Sequence, residues 1–183
     1  MRVIRQDLAA RTPEASARIA KRAPLSRFAR FHIVAAYVAQ GSELDPEPLV
    51  QALLDELPDQ IQAALPVARD RSSPLTFRLW TPGEPLERDA FNIPVPPKAN
   101  PEVQPSLVIT PLLAFDRAGG RLGQGAGHYD RTLAKLRKIR PVYVLGLAYS
   151  GQELPQIPME PHDQRLDAIL TETDFIEVAK GSR

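Results

Sequence analysis

The sequence contains no cysteine. A disulfide framework, a zinc site built on thiolates and a cysteine nucleophile are therefore excluded. Long apolar runs are missing as well: the longest, residues 33–39 and 142–149, are far shorter than the roughly 20 residues that a membrane helix needs. The first residues, MRVIRQDLAAR, lack the apolar core of a signal peptide. These absences predict a soluble, cytoplasmic protein that does not contact a membrane.

Neither basic nor acidic residues are in clear excess, since the formal net charge is +1. The distribution is uneven: residues 1–40 carry eight Arg or Lys against Asp7 and Glu14, and residues 41–70 carry seven acids against Arg69. Aromatic residues make up only 6% of the chain, so the basic segment has no interleaved stacking side chains. The pattern indicates a solvated basic helical face and predicts no nucleic-acid partner.

With 183 residues, the chain is long enough for one domain with a full apolar core. The apolar run at 31–39 is typical of a buried parallel strand, although a helix stays possible there. Asp45 and Pro46 predict the start of a helix that reaches about Leu57, and Pro66 is expected to end the next strand. Helices are predicted at 24–30, 45–57 and 129–139, and strands at 31–39, 61–65, 75–80, 141–148, 167–170 and 175–178. A further run of strand length begins at Leu107. This alternation predicts a three-layer αβα sandwich around a mostly parallel sheet, as a single domain over residues 1–183.

The most distinctive stretch is residues 107–131, LVITPLLAFDRAGGRLGQGAGHYDR. It passes from a strand-like run through a glycine-rich loop into the predicted helix at 129–139. Glycine permits positive φ, so the loop can turn its N–H groups toward one point, and the helix N-terminus adds a favourable dipole for phosphate. Arg121 and Arg131 add positive charge. The loop glycines are Gly119, Gly120, Gly123, Gly125 and Gly127.

This glycine spacing alone also fits a long surface loop. No Gly-Lys-Ser/Thr follows, so the stretch is not a Walker loop, and its first glycine comes too late after the strand for a dinucleotide fingerprint. A different kind of phosphate site is predicted.

Three acidic residues are candidate ligand groups. Glu43 follows the predicted strand at 31–39, where open α/β sheets bind ligands, and its alternative is an exposed loop carboxylate. Asp130 and Asp163 flank the glycine loop and could share an oxygen-liganded Mg²⁺. Asp130 could instead simply cap its helix. His162, beside Asp163, fits a turn cap as well as a functional role.

Residues 115–133, FDRAGGRLGQGAGHYDRTL, resemble the signature of the 5-formyltetrahydrofolate cyclo-ligase (5,10-methenyltetrahydrofolate synthetase) family. That signature has an aromatic-Asp, a Gly, an Arg-Leu-Gly and a Gly-x-Gly-x-Tyr-Asp in this order. The resemblance extends over nearly the whole chain through shorter matches at Ile4-Arg5, Gly41-Ser42-Glu43, Leu65-Pro66, residues 77–80, Asn92-Ile93-Pro94 and His162-Asp163.

The resemblance implies an enzyme of one-carbon folate metabolism. It implies Mg²⁺- and ATP-dependent cyclisation of 5-formyltetrahydrofolate to 5,10-methenyltetrahydrofolate, with release of ADP and phosphate, by a protein expected to be a monomer. No residue is assigned as a catalytic acid or base. The implied ATP-binding residues are Arg5, Arg121, Leu122, Gly123, Gln124, Gly125, Ala126, Gly127, His128 and Tyr129. The implied folate-binding residues are Glu43, Gln124, Gly125, Gly127 and His128, and the implied metal ligands are Asp130 and Asp163.

Several positions depart from the family pattern. Met1 stands where the family has a lysine four residues before its arginine, and His128 stands where tyrosine or phenylalanine is usual. Val95 replaces a polar residue and Ser106 an aspartate. These departures leave two alternatives open: a nucleotide-binding paralogue with weak or no folate turnover that acts as a binding or regulatory module, and a different ATP-dependent ligase.

Overall fold

The computed structural model describes residues 1–179, so the last four residues of the predicted domain 1–183 lie outside the described part. The helices are α1 (Arg2–Arg11), α2 (Ala15–Arg22), α3 (Leu25–Phe28), α4 (Glu47–Glu56) and α5 (His128–Ile139), with a 3₁₀ turn at Ser150–Gln152. The strands are β1 (Ile33–Ala35), β2 (Gln62–Val67), β3 (Thr76–Leu79), β4 (Glu87–Arg88), β5 (Pro94–Val95), β6 (Glu102–Val103), β7 (Leu107–Pro111), β8 (Ala114–Phe115), β9 (Arg121–Leu122), β10 (Tyr143–Leu147), β11 (Ala168–Leu170) and β12 (Phe175–Glu177).

One mixed sheet of eight strands organises the chain, in the order β12-β11-β10-β7-β1-β2-β3-β6. Its five central strands, from β11 to β2, are mutually parallel. The outer strands β12, β3 and β6 pair antiparallel with their neighbours. The two remaining pairs, β4 with β5 and β8 with β9, form small hairpins beside the sheet. The predicted mostly parallel sheet is confirmed.

The apolar core lies in two layers, one on each face of the sheet. The first layer contains Ile19 of α2, Phe28 of α3 and Leu53 of α4, all of them buried. The second layer contains Leu133 and Leu136 of α5. The helices therefore flank the sheet on both sides, which confirms the predicted three-layer α/β fold.

The strand predicted at 31–39 covers only Ile33–Ala35 in the structure. Two further local predictions, both at prolines, also differ. Helix α4 begins at Glu47 and its N-cap residue is Pro46, one residue later than predicted. The Asp45 side chain still accepts a hydrogen bond from the Glu47 N–H at 3.0 Å. Pro66 does not end its strand but lies inside β2. Strand β1 pairs only with residues 62–64 of β2, so it has already ended at the level of Pro66. Proline has no N–H group, and on that side of β2 no hydrogen bond from residue 66 is needed.

Among residues 1–179, no helix has both the length and the apolar composition to span a membrane.

The packing of α5 on the sheet yields a stability prediction. Leu133 is fully buried, so Leu133→Ala should lower the free energy of unfolding by about 2 to 5 kcal/mol through lost burial and the cavity left behind. Ile139 on the same helix is 57% exposed, and Ile139→Ala should change stability by only about 0.5 kcal/mol. Urea denaturation followed by circular dichroism measures both. Equal losses in the two variants would contradict this account of the core.

Candidate functional site

Three loops meet at one edge of the sheet. Because β1, β7 and β10 are parallel, their carboxyl ends share that edge, where open α/β sheets place their ligands. The loop after β1 carries Glu43, the segment after β7 carries the glycine loop, and the loop after β10 carries Asp163. The sheet thus brings the predicted site residues to the same side of the molecule.

The glycine loop starts from a small hairpin that a buried carboxylate holds in place. Asp116, at the turn between β8 and β9, is 4% exposed. Its Oδ1 accepts the N–H groups of Ala118 (2.9 Å) and Gly120 (2.8 Å), and its Oδ2 accepts the N–H of Ile157 (2.7 Å). Asp116 therefore fixes both the shape of the turn and its attachment to the loop after β10.

The first two glycines of the stretch serve this hairpin and not the loop beyond it. A Cβ on Gly119 would lie 2.7 Å from the Leu166 carbonyl oxygen, and one on Gly120 would lie 2.6 Å from Oδ2 of Asp116. Both positions require glycine because of close packing. The prediction that all five glycines turn toward one anion site is wrong for these two.

Of the later glycines, Gly125 faces open space just before α5. Gly125 has φ +95° and no atom within 4 Å of the position that a Cβ would take. Gly127 has φ +65° and is the N-cap residue of α5, so the unpaired amides of the first helical turn begin there. Gln124 and Ala126, on either side of Gly125, are exposed. An open glycine loop that leads into a helix N-terminus has the features of a phosphate site.

A buried ion pair joins α1 to the loop after β1, and the glycine loop contacts this pair through Gln124. The side chains of Arg5 and Glu43 are only 8% and 5% exposed. Oε1 of Glu43 accepts hydrogen bonds from Nη1 of Arg5 (3.4 Å) and Nε2 of Gln124 (2.8 Å), and its Oε2 accepts the N–H of Gln40 (2.9 Å). Arg5 also donates to the Ser42 hydroxyl at 3.1 Å. The structure therefore brings Glu43, Gln124 and Arg5 together, although they are far apart in sequence.

Tyr129 lies beside this cluster in the first turn of α5. Burial raises the pKa of its phenol well above the usual range, and the Glu43 carboxylate raises this pKa further, although the Arg121 guanidinium acts in the opposite direction. The Arg121 guanidinium carbon lies 5.7 Å from the ring centre. The phenol is therefore neutral at physiological pH and can donate a hydrogen bond.

The predicted metal ligands are adjacent but differently engaged. Oδ1 of Asp130 accepts hydrogen bonds from Nη2 of Arg121 (2.9 Å) and from the Gln164 N–H (3.0 Å), which places the Asp130 carboxylate next to the backbone of Asp163. Oδ2 of Asp163 accepts the Glu160 N–H at 2.8 Å. One oxygen of each carboxylate has no hydrogen bond among residues 1–179.

The donor chemistry of this pair suits Mg²⁺. Within the described residues, no group of three or more His, Cys, Asp or Glu side chains could enclose a metal ion. Mg²⁺ is commonly held by one or two carboxylates, with water and substrate phosphate as its other ligands. Asp130 and Asp163 supply two carboxylates of this kind.

The loop between β2 and β3 also packs against the site, and this contact was not predicted from the sequence. Nδ1 of His128 lies 3.2 Å from the Ser73 carbonyl oxygen. Nη2 of Arg131 donates to the Arg71 carbonyl (2.9 Å) and to the Ala126 carbonyl (2.8 Å). The Leu75 N–H donates to the Thr132 hydroxyl at 2.8 Å. The only sequence signal was the turn-forming string DRSS at 70–73, which does not reveal what the turn packs against.

Comparison with known proteins is consistent with this geometry. The model of the 5-formyltetrahydrofolate cyclo-ligase family matches residues 1–172. A 5-formyltetrahydrofolate cyclo-ligase of Mycolicibacterium smegmatis is 36% identical over 146 residues, which cover 75% of this chain and 72% of the relative. The protein of the same name from Escherichia coli K12 is 35% identical over 147 residues, which cover 76% and 78%.

Solved structures show the same fold. The solution structure of 5,10-methenyltetrahydrofolate synthetase from Aquifex aeolicus matches with a TM-score of 0.72 at 25% identity, covering 98% of this chain and 93% of the other. The synthetase from Mycoplasma pneumoniae matches with a TM-score of 0.65 at 22% identity, covering 93% and 98%, and this likeness concerns the fold alone. Because the family model spans almost the whole chain and the relatives exceed 30% identity over most of their length, the chain belongs to the 5-formyltetrahydrofolate cyclo-ligase family.

Proposed function

We propose that the protein catalyses the ATP- and Mg²⁺-dependent conversion of 5-formyltetrahydrofolate to 5,10-methenyltetrahydrofolate, with release of ADP and phosphate. The observation that carries the proposal is the 2.8 Å hydrogen bond between Gln124 of the glycine loop and Glu43 of the loop after β1. It places a phosphate-type loop in direct contact with a buried carboxylate that can orient a second substrate. Family membership supports the same reaction.

The chemistry needs two substrates held side by side. The formyl oxygen is a poor leaving group, so the γ-phosphoryl group of ATP is first transferred to it and ADP is formed. N10 then attacks the activated carbon, the bond from that carbon to the phosphorylated oxygen breaks, and phosphate leaves while N10 loses its proton. For phosphoryl transfer, a protein mainly positions the reactants and stabilises the charge that develops.

The residues of the site divide between these two substrates. The backbone of residues 121–129 offers N–H groups to the phosphates, with Gly125 keeping the space open. Glu43 accepts hydrogen bonds and can orient N–H groups of the folate, helped by Gln124. His128 is the first residue of α5, with its ring 6.5 Å from that of Phe91 in an edge-to-face arrangement. We therefore assign Glu43, Gln124 and His128 to the folate side.

Asp130 and Asp163 would hold Mg²⁺ through their oxygens that lack hydrogen bonds. When bound, the ion supplies positive charge that offsets the phosphate oxygens of ATP. Arg121, which donates to the other oxygen of Asp130, fixes the orientation of that carboxylate. A monomeric state and a cytoplasmic location complete the proposal.

An absorbance assay tests the reaction directly. Purified protein with Mg²⁺ and ATP should convert 5-formyltetrahydrofolate to methenyltetrahydrofolate and release ADP in equal amount. Omission of ATP, or removal of Mg²⁺ with a chelator, should abolish the signal. ATP binding without turnover would instead support the nucleotide-binding paralogue.

The open space at Gly125 predicts a selective loss of nucleotide binding. Gly125→Val should reduce ATP affinity at least about a hundredfold, because a branched side chain fills the space and is strained at φ +95°. Gly83, with φ +85° and equally open surroundings, provides the matched control outside the site. Gly83→Val should lose similar stability but bind ATP normally by isothermal titration calorimetry. Unchanged ATP affinity in a folded Gly125→Val variant would rule out the phosphate loop.

The metal assignment predicts a loss of rate without loss of fold. Asp130→Asn keeps an oxygen that can accept from Arg121 and Gln164 but removes the charge, so turnover should fall by about a hundredfold or more at saturating Mg²⁺. Asp163→Asn should act alike, and the double variant should lose little more than either single variant, because both residues serve one ion.

Asp174→Asn is the control for this experiment, since Asp174 is an exposed acid just beyond β11 at the same edge of the sheet. Its turnover should match that of the unmodified protein. Rate and melting temperature are measured on the same samples. An Asp130→Asn variant that melts early but turns over normally would show that Asp130 has a structural role only.

A further inference from the structure

The two arginines expected to bind the nucleotide phosphates are both paired with carboxylates. Arg5 contacts Glu43, and Arg121 contacts Asp130 at 2.9 Å. The side chains of Arg5 and Arg121 are only 8% and 5% exposed, so both guanidinium groups are shielded from solvent. A polyphosphate bound at the glycine loop would therefore meet guanidinium groups whose charge is already balanced.

Arg131 is also engaged. Its Nη2 donates to two backbone carbonyls, those of Arg71 and Ala126, and its Nη1 lies 2.7 Å from the position that a Cβ on Gly127 would take. The guanidinium thus fills the space that Gly127 leaves and joins the β2–β3 loop to the glycine loop. Arg131 is a positioning residue whose carbonyl contacts limit what else it can bind.

The turn that carries Arg71 is rigidly built. Oδ1 of Asp70 accepts the N–H groups of Ser72 (2.8 Å) and Ser73 (2.7 Å) and the Ser72 hydroxyl (2.8 Å), and its Oδ2 accepts the Ser73 hydroxyl (2.6 Å). These bonds hold the pKa of Asp70 well below its usual range. The carboxylate is therefore ionised at any physiological pH, and the turn is formed before a ligand arrives.

This turn lies against the glycine loop. The carbonyl oxygens of Arg71 and Ala126 are 2.9 and 2.8 Å from the same nitrogen of Arg131, so the backbone of Arg71 adjoins the open part of the loop. Arg71 itself is exposed, and its side chain makes no hydrogen bond or ion pair with any residue in the range 1–179. An arginine side chain is long enough to reach from that position across the adjoining loop.

We propose that Arg71 is a phosphate-binding residue of this site, and that it supplies to the polyphosphate of the nucleotide the positive charge that Arg5 and Arg121 share with carboxylates. The inference rests on the proposed function, because it requires a nucleotide at the glycine loop. The turn holds the backbone of Arg71 next to that loop, and the exposed guanidinium of Arg71 can donate charge-assisted, bidentate hydrogen bonds to phosphate oxygens. Arg131 acts through Arg71 by fixing its backbone.

The test measures ATP affinity by calorimetry for Arg71→Gln, Arg71→Lys and Arg69→Gln. The contact that attaches the turn uses the carbonyl oxygen of Arg71, so replacing the side chain leaves that attachment intact. Arg69 is the control, because it belongs to the same loop and its exposed side chain pairs with Glu102. Arg71→Gln should weaken ATP binding by about tenfold. Arg71→Lys should lose less, and Arg69→Gln should bind like the unmodified protein, with equal melting temperatures throughout.

Each outcome decides between the two proposals. If the unmodified protein binds and turns over ATP while Arg71→Gln binds it as tightly as Arg69→Gln does, the role of Arg71 is overturned and the proposed function stands. Equal weakening in Arg71→Gln and Arg69→Gln would also overturn it, since only the general charge of the loop would then matter. If the unmodified protein binds no ATP, both proposals fail.

Discussion

Parallel pairing of the central strands is the constraint on which the site depends. Leu107 of β7 aligns with Val34 of β1 on one side and with Tyr143 of β10 on the other. Parallel strands all deliver their carboxyl ends to one edge, so loops that are remote in sequence become neighbours there. Without this register, Glu43 and Gln124 could not share a hydrogen bond.

The glycine-rich stretch divides into two parts with different physical roles. At Gly119 and Gly120, a side chain would collide with the loop after β10 or with Asp116. At Gly125, no atom lies within 4 Å of the position that a Cβ would take, and the positive φ favours glycine. The motif therefore has two parts. The first is a tight turn that the buried Asp116 carboxylate stabilises, and the second is an open loop at the start of a helix.

The charges of the site are arranged in pairs before any substrate is present. A buried guanidinium loses hydration, and a carboxylate partner with good hydrogen bonds offsets that cost. The Arg121–Asp130 pair meets this condition at 2.9 Å, whereas the Arg5–Glu43 contact is longer at 3.4 Å. Each pair links two segments of the site. Such pairs orient the carboxylates in advance, which suits a reaction that depends on positioning. Arg71, whose backbone adjoins the glycine loop, has an exposed side chain with no hydrogen-bond or ion-pair partner within residues 1–179.

The sequence by itself determined the kind of fold and the location of the glycine loop. Apolar runs of strand length predicted β7, β10 and β11, and an apolar stripe at helical spacing predicted α5, because burial of one face imposes such periods. It also predicted Glu43 as a residue at the carboxyl edge. Local pattern could not place Pro66 inside a strand, since whether a missing N–H matters depends on how far the neighbouring strand extends.

Only the tertiary structure decided which residues touch. The attachment of the 70–75 turn to α5 involves His128, Arg131 and Thr132, and the Arg5–Glu43 pair joins α1 to the loop after β1. These contacts join segments separated by dozens of residues, and no periodic pattern in the sequence indicates them. The physical reason is that such contacts arise from the order and register of the strands, which bring side chains together in space without requiring any particular spacing along the chain.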